Sequence, residues 1–453
     1  MNETSGESQV TTIVDPGREW FEGESLPKRV DVAIIGGGIV GCSAAYFLAK
    51  QGLSVCLLEK GRIAGEQSGR NWGWVRQQGR ANAELPIMIR ANQIWQQWQS
   101  EMDTGFEIGG CLYLANTQDE LQEHEAWLEV AKQHSLATNI VSGTALDALL
   151  PGHGNKWAGA LYTPNDGRAE PNRAALSVAR AAVSRGAHVF ERCAVRGLET
   201  QAGKVYRVVT EKGSINSSTV LCAAGAWTSM FARSLNINVP QLKIKGNVAR
   251  TEATATGPTM GTAWAPDVAI RRRQDGGYTV AHGSALEHSL VPSSFRFGWR
   301  FAPAFQQERN AIKLRINSEF LEEFKQAKRW PLDQPTVFER QRILHPKPSV
   351  NMLDKTRRAL DKNFPELKDA RFVETWAGMI EASPDMIPIM GSVETLEGFY
   401  VATGFSGHGF GFGPGAGEAM ADLITGNRSA SSLQDFRLSR FFDGSKIELG
   451  PTV

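Results

Sequence analysis

Apolar and polar positions near the start of the chain form blocks that predict a strand, a turn, a helix and a second strand. A mostly apolar run over residues 29–35 is typical of a buried parallel strand. Glycines follow over 36–41, a helical stretch continues to residue 51, and apolar residues 53–58 predict the next strand. The uncharged stretch 32–49 is nearly long enough to cross a membrane, but its glycines and flanking charges favour the strand–turn–helix interpretation.

The rest of the chain shows both helical and strand periods. Helical spacing of apolar residues predicts helices over 81–101, 118–134 and 173–185. Apolar runs predict strands over 186–195, 219–225 and 398–404, with a glycine-rich loop over 405–414 and a helix over 415–424 after the last of them. Alternation predicts antiparallel strands within 240–250 and 268–282.

The glycine block has the spacing of a dinucleotide-binding turn. Gly36 permits the tight turn, Gly38 leaves room for a pyrophosphate, and Gly41 lets the helix pack against the strand. The helix N-terminus then offers backbone amides to the phosphates. Glu59 closes the second strand, where an acid hydrogen-bonds ribose hydroxyls and disfavours the 2′-phosphate of NADP. A chance glycine loop would lack this order of elements.

The segment after Glu59 favours FAD over NAD. Residues 60–71 are polar and glycine-rich, where a simple NAD fold would begin another crossover helix. Such a loop can follow an extended cofactor, with Ser68 near the pyrophosphate and Asn71 near the flavin ring. The helix predicted after residue 414 can direct its N-terminus at the negative charge of a reduced flavin.

This arrangement resembles the D-amino acid oxidase-like family of FAD enzymes. Residues 59–70 are similar, almost residue for residue, to the matching loop of the bacterial L-amino acid deaminases in that family. The loop 404–410 is similar to that of sarcosine oxidase. Sarcosine oxidases attach flavin through a late cysteine, and no cysteine follows Cys222 here. The resemblance therefore implies non-covalent FAD.

The resemblance also implies a fold and a division into domains. The expected fold class is α/β, with a Rossmann-like FAD-binding domain and an interleaved α+β substrate domain whose antiparallel sheet covers the flavin. The expected domains are a flexible N-terminal arm over 1–27, an FAD-binding domain over 28–85, 155–240 and 366–453, and a substrate-binding domain over 86–154 and 241–365.

Motif and resemblance together predict the residues that contact FAD. They are Gly36, Gly38, Ile39, Val40, Gly41, Glu59, Lys60, Ser68, Gly69, Arg70, Asn71, Gly73, Trp74, Val195, Ala224, Gly225, Trp227, Gly378, Gly404, Gly407, His408, Gly409 and Phe410.

Arg271 and His408 are predicted to carry the chemistry. In the family an arginine from this region holds the substrate carboxylate, and the spacing to Tyr278 places Arg271 in that role, which suits the guanidinium fork. A solvated basic strand end stays the alternative for Arg272 and Arg273. His408 lies where family members bring the chain across the flavin, so contact with the ring or the substrate is predicted, and its role as a base stays open.

Several other side chains are candidates for the pocket. The tryptophans are candidate walls of the flavin site, with core packing as the alternative: Trp72, Trp74, Trp227 and Trp376. Three amide side chains are candidates for polar contacts with substrate: Gln77, Gln78 and Asn247.

The segment 295–330 has two interpretations. Aromatic residues alternate with small or basic ones over 295–301, and a charged stretch follows over 306–329. One interpretation is an edge strand followed by an amphipathic helix. The other is a docking surface for a membrane or an electron-acceptor protein, at a place similar to an insertion in the deaminases.

Composition narrows the class of protein and its partners. The 453 residues are 42% hydrophobic and 21% charged, as in a soluble globular protein of two or three domains. A net charge of +1 argues against a nucleic-acid partner. The five cysteines have no metal-binding spacing and are expected to be reduced. Residues 1–24 show no signal-peptide pattern, so the expected location is cytoplasmic, including peripheral contact with the inner face of a membrane.

These observations predict FAD-dependent oxidation of the C–N bond of an amino acid or N-substituted amino acid by hydride transfer to flavin N5. The imine product would hydrolyse to a 2-oxo acid or an aldehyde, and the electrons would pass to oxygen or to a quinone of a membrane chain. Oxidation of a 2-hydroxy acid and a non-catalytic flavin-containing subunit are the alternatives.

Overall fold

A computed structural model describes residue 21 and residues 25–154, 157–427 and 433–450. The predicted arm over 1–27 therefore lies almost wholly outside the described residues. The described strands, in chain order, are β1 (Val32–Ile35), β2 (Val55–Leu58), β3 (Trp74–Val75), β4 (Glu107–Ile108), β5 (Cys111–Ala115), β6 (Asn139–Val141), β7 (Gly159–Thr163), β8 (Gly167–Arg168), β9 (His188–Phe190), β10 (Val195–Gln201), β11 (Lys204–Thr210), β12 (Gly213–Asn216), β13 (Val220–Cys222), β14 (Leu242–Thr251), β15 (Thr262–Trp264), β16 (Ala269–Arg272), β17 (Tyr278–Ala281), β18 (Leu286–Ser289), β19 (Ile312–Arg315), β20 (Phe372–Ala382), β21 (Ile389–Ser392) and β22 (Phe399–Thr403).

The described α-helices, in chain order, are α1 (Ile39–Lys50), α2 (Gln67–Arg70), α3 (Leu85–Glu101), α4 (Gln118–Gln133), α5 (Gly143–Leu149), α6 (Pro171–Val183), α7 (Thr228–Ser234), α8 (Pro292–Glu308), α9 (Glu319–Lys325), α10 (Val337–Arg340), α11 (Val350–Asn363) and α12 (Gly409–Thr425).

A six-stranded sheet forms the centre of the first part of the fold. Its order is β21-β22-β13-β1-β2-β9, with five parallel strands and β21 antiparallel at the edge. Helix α1 packs on this sheet between α6 and α12, and their apolar side chains form one core. Since the parallel strands point the same way, the residues that follow β1, β2, β13 and β22 meet at one edge, where ligands bind in such folds.

A ten-stranded, mainly antiparallel sheet forms the second part. Its long central strand β14 pairs with β20 along its whole length and with β17 and β18 on the other side. The Rossmann-like sheet and the antiparallel sheet confirm the predicted fold class. The domain bounds stay a prediction. Two strands expected in the FAD-binding domain, β7 and β20, pair within the ten-stranded sheet.

Helix α12 begins earlier than the glycine pattern indicates. Residues 409–414 were expected in a loop and are helical. The glycines serve close packing, because a Cβ on Gly413 would lie 2.7 Å from Ile39 Cγ2 and one on Gly417 would lie 2.4 Å from Ser43 Cβ. The helix needs small residues to approach α1, and local sequence cannot distinguish this need from that of a loop.

Residues 295–301 form part of helix α8, so the expected edge strand is wrong. Aromatic residues at every second position also include pairs that are four residues apart, and such pairs lie on one face of a helix. Phe297 and Phe301 are buried together, while Phe295 and Trp299 share the opposite face. Among the described residues, no helix is both long and apolar enough to cross a membrane.

Candidate active site

The glycine turn after β1 is built so that only glycine fits at its two ends. Gly36 has a φ of +110°, and a Cβ there would lie 2.4 Å from the carbonyl oxygen of Ala223. A Cβ on Gly41 would lie 2.1 Å from Gly36 O. The turn therefore packs directly against the residue that follows β13 on one side and against the first turn of α1 on the other. Ser68 Oγ accepts a hydrogen bond of 2.8 Å from Ile39 N.

A first cavity opens beside this turn. Its lining includes the predicted residues Gly36, Gly38, Glu59, Lys60, Val195, Ala224, Gly225 and Trp227. Glu59 Oε2 accepts a hydrogen bond of 2.8 Å from Gly37 N, and Oε1 accepts one of 2.6 Å from Gly61 N. The carboxylate is thus held at the end of β2, at the place where an acid meets the ribose of a dinucleotide.

A second cavity of about 590 Å³ adjoins the first through residues 65–68. It has the size typical of ligand sites. The predicted cofactor residues that line it are Ser68, Arg70, Asn71, Trp74, Gly378, Gly407, His408, Gly409 and Phe410. Strand β14 of the substrate sheet contributes residues 246–248 to its roof. The two cavities together fit an extended cofactor with a substrate under the sheet.

Some predicted cofactor residues line neither cavity. These are Ile39, Val40, Gly41, Gly69, Gly73 and Gly404. They lie beside residues that do, and the main-chain nitrogen of Ile39 contacts Ser68. Their assignment to FAD stays a prediction.

His408 lies at the N-terminus of α12 and forms a pair with Glu84. Its Nδ1 is 3.3 Å from Glu84 Oε1, and both side chains are almost completely buried. A carboxylate only accepts hydrogen bonds, so Nδ1 carries the proton and Nε2 keeps a lone pair. Within the described structure, Nε2 has no hydrogen-bond partner. Burial, and then the charge of Arg80, lower the pKa of His408 to about 4, so the ring is neutral at pH 7.

Arg76 and Arg80 supply positive charge to the same cavity, which sequence inspection missed. Both line the cavity. Arg80 is 4% exposed, and its Nη1 has no hydrogen-bond partner among the described residues. Burial, and then the charge of Arg76, lower the pKa of Arg80 to about 10, which still leaves it protonated at pH 7. Arg76 lies 5.2 Å from the centre of the Tyr113 ring and donates to Gln78 O at 2.5 Å.

Arg271 does not lie in this cavity, which corrects the expectation that it holds the substrate carboxylate. It is 1% exposed, and its Nη1 donates to Glu170 Oε1 at 2.9 Å. The Nη2 atom donates to Thr279 Oγ1 at 3.0 Å. The fork that was to bind substrate is occupied by a carboxylate of the protein itself. Arg273 pairs with Asp275 at 3.0 Å.

The remaining candidates divide between pocket and core. Trp72, Trp74 and Asn247 line the second cavity. Trp376 packs outside it and donates its indole N–H to Arg70 O at 2.9 Å. The side chain of Gln77 donates to Asp166 at 3.2 Å, and that of Gln78 accepts from Thr163 Oγ1 at 2.8 Å. Both amide side chains therefore bond to other parts of the protein. The sequence does contain a signal for the two arginines, which is the polar run over residues 76–80. Within this run the arginines line the cavity and the glutamines do not.

Comparison with known proteins decides the family. The model of the DAO family, described as FAD dependent oxidoreductase, matches residues 31–423. The chain belongs to the DAO family. This confirms the predicted family and the predicted cofactor, FAD. Among the described residues, no cysteine lines either cavity.

Relatives of the DAO family match most of this chain. It is 26% identical to mitochondrial sarcosine dehydrogenase of Mus musculus over 449 residues, which is 96% of this chain and 43% of the relative. It is 23% identical to sarcosine oxidase subunit beta of Rhodobacter capsulatus over 430 residues, 93% of this chain and 91% of the relative. The chain thus spans less than half the length of the first curated relatives that it matches.

Solved structures of the family show the same fold. L-amino acid deaminase from Proteus myxofaciens, in complex with anthranilate, superposes with a TM-score of 0.89 at 30% identity, covering 96% of this chain and 97% of that one. The Proteus vulgaris enzyme gives 0.89 at 29% identity, covering 94% and 100%.

Replacing Glu59 with Ala is expected to weaken FAD binding about tenfold or more. The change removes a charged acceptor whose loss costs on the order of 1.5–3 kcal/mol. Titration of the flavin-free protein with FAD, followed by flavin fluorescence, measures the effect, and circular dichroism checks the fold. Glu397→Ala, at an exposed glutamate paired with Lys204, is the control. An unchanged dissociation constant in Glu59→Ala would mean that Glu59 does not face the cofactor.

Proposed function

We propose that this protein catalyses FAD-dependent oxidation of the C–N bond of an amino acid or N-substituted amino acid. The imine product hydrolyses to a 2-oxo acid or an aldehyde. The observation that carries this proposal is the pairing of a buried arginine that has a free donor with a neutral histidine in one cavity at the FAD site. The names of the relatives, which include sarcosine and L-amino acid enzymes, support the substrate class.

Arg80, with Arg76 beside it, binds the substrate carboxylate in this proposal. A buried guanidinium with a free N–H gains a strong, charge-assisted hydrogen bond from a carboxylate. The two arginines also fix the orientation of the bound molecule, and orientation is a large part of the rate in such a reaction. Bound FAD supplies the two-electron acceptor.

His408 accepts a hydrogen bond from the neutral substrate amine in this proposal. Oxidation of the C–N bond needs a neutral amine. His408 lines the same cavity, and its Nε2 has no hydrogen-bond partner among the described residues. Glu84 holds the ring by its other nitrogen and fixes the tautomer. Because the pKa of His408 is lowered to about 4, the ring stays neutral and orients the amine without taking its proton.

A spectral titration tests this function. The purified protein is expected to be yellow, to release intact FAD on denaturation, and to lose its flavin absorbance under anaerobic conditions with at least one amino acid. Bleaching by 2-hydroxy acids alone would identify the alternative reaction. Stable FAD that no candidate substrate bleaches would favour a non-catalytic subunit. That alternative has some support, since the chain is 25% identical over 421 residues to pyruvate dehydrogenase phosphatase regulatory subunit of Mus musculus.

We further propose that an aromatic face on α8 and α9 docks on a membrane surface, where a quinone would take the electrons. Phe295 and Trp299 are each 68% exposed and Phe324 is 71% exposed. Arg300 lies 4.0 Å from the Trp299 ring and adds positive charge. Such a face suits the boundary between headgroups and acyl chains. Sedimentation with anionic vesicles tests this, with Trp299→Ser as the variant. If the protein does not sediment and reduces oxygen rapidly, oxygen is the acceptor.

A further inference from the structure

Glu381 is a buried acid that the proposed reaction does not use. It lies near the end of β20 and is 4% exposed. In the sheet it is directly opposite Lys243 of β14. Its side chain lines the second cavity. A buried acid in a cofactor cavity needs a partner, because an unpaired polar group in such a place is costly.

The carboxyl group lies where the two cavities meet. A Cβ placed on Gly225, which lines the first cavity, would be 3.8 Å from Glu381 Oε2. The main-chain N–H of Glu381 donates to Gln67 Oε1 at 3.4 Å, and Gln67 lines the second cavity. Within the described residues, Oε2 has no hydrogen-bond partner. Glu381 therefore lies where the two cavities adjoin, with one carboxyl oxygen that has no partner among the described residues.

None of the charged groups around Glu381 forms an ion pair with it among the described residues. Glu66, at the start of α2, adds negative charge. The guanidinium of Arg70, on α2, donates hydrogen bonds to the carbonyl oxygens of Gly65 and Ala377 and also bonds to His345. Lys243 places its ammonium 5.1 Å from the centre of the Trp227 ring. Burial raises the pKa of Glu381 to about 8, against the opposing effect of hydrogen bonds from the backbone N–H groups of Glu381 and Phe405, and the charge of Glu66 adds to the increase.

We propose that Glu381 is a protonated carboxyl group that donates a hydrogen bond to bound FAD at the junction of the two cavities. An un-ionised carboxyl has one O–H to donate. The cofactor offers hydroxyl and phosphoryl oxygens as acceptors. An ionised Glu381 would instead add a second negative charge beside Glu66.

The proposal fixes the direction of a pH effect on FAD binding. The binding-competent form of Glu381 is the protonated one, so affinity is complete below its pKa and falls as pH rises through it. Since FAD binding then requires uptake of one proton, the dissociation constant increases about tenfold for each pH unit above about 8. Between pH 7 and about pH 9.5 the expected loss is about thirtyfold.

Titration of the flavin-free protein with FAD across this pH range tests the proposal. Glu381→Gln keeps an N–H donor and cannot ionise, so its dissociation constant is expected to stay flat. Glu397→Gln, at the exposed glutamate, is the matched control and is expected to keep the wild-type profile. The carboxyl C=O band in infrared spectra of the wild-type holoprotein is expected at pH 7 and is expected to be absent from Glu381→Gln.

Several results would overturn the proposal. A flat profile in the wild-type protein would do so without any variant, even if Glu381→Gln failed to fold. A Glu381→Gln profile as steep as that of the wild type would assign the effect to another group. No substrate takes part in these measurements, so their outcome is independent of the reaction proposed above.

Discussion

Replacing Arg80 with Ala is expected to lower kcat/KM for the amino acid substrate by about thirtyfold to several thousandfold. The substrate carboxylate would then be buried beside FAD without its cation, and truncating such a pair costs roughly 2–5 kcal/mol. Arg80 lines the cavity, and its Nη1 has no hydrogen-bond partner among the described residues. The flavin absorbance spectrum and the folded state are expected to change little.

Two substrates make this test specific. An amino acid and the matching amine without its carboxylate are compared in the wild type and in Arg80→Ala. Only the amino acid is expected to lose efficiency. Arg80→Lys is expected to recover part of the loss, since an ammonium lacks the planar fork. Arg273→Ala, at an arginine already paired with Asp275, is the control. Equal slowing of both substrates in Arg80→Ala would show that no carboxylate is bound there.

Replacing Arg271 with Ala is expected to lower the free energy of unfolding by about 3–5 kcal/mol, because it leaves the Glu170 carboxylate without its partner in a mostly buried place. Urea unfolding, followed by tryptophan fluorescence, measures the loss. The double variant Arg271→Met with Glu170→Gln is expected to recover much of it, since no charge then stays unpaired.

The Arg271 variant also decides between two assignments of the carboxylate-binding residue. If Arg271→Ala keeps wild-type stability and loses only amino acid binding, the original assignment from the family resemblance is correct. If it unfolds easily while the remaining folded protein binds substrate normally, the buried ion pair with Glu170 is its role.

The helix near the C-terminus shows how far local patterns reach. Glycines at 411, 413, 415 and 417 suggest a flexible loop when only neighbours in sequence are considered. The structure makes them helical because α12 must lie against α1, the end of β3 and α3. A glycine chosen for close packing and one chosen for backbone freedom look the same in sequence.

The sequence alone determined the family, the cofactor and the position of the FAD turn, because each depends on residues close together in the chain. The turn of Gly36 needs a positive φ where the sequence has glycine, and Glu59 ends the strand that pairs with the one before the turn. The limit on φ acts within the residue itself, so a motif can state it. The contact between Gly36 and Ala223 lies outside the motif.

Only the tertiary structure decided which charged residues face the cavity. Arg271 pairs with Glu170, which is 101 residues away in the chain, and does not line the cavity. Arg80 lines the cavity, and its Nη1 has no hydrogen-bond partner among the described residues. His408 pairs with Glu84, which is 324 residues away in the chain. The role of a charged side chain depends on what neutralises it, and that partner is set by packing between distant segments, which no local pattern contains.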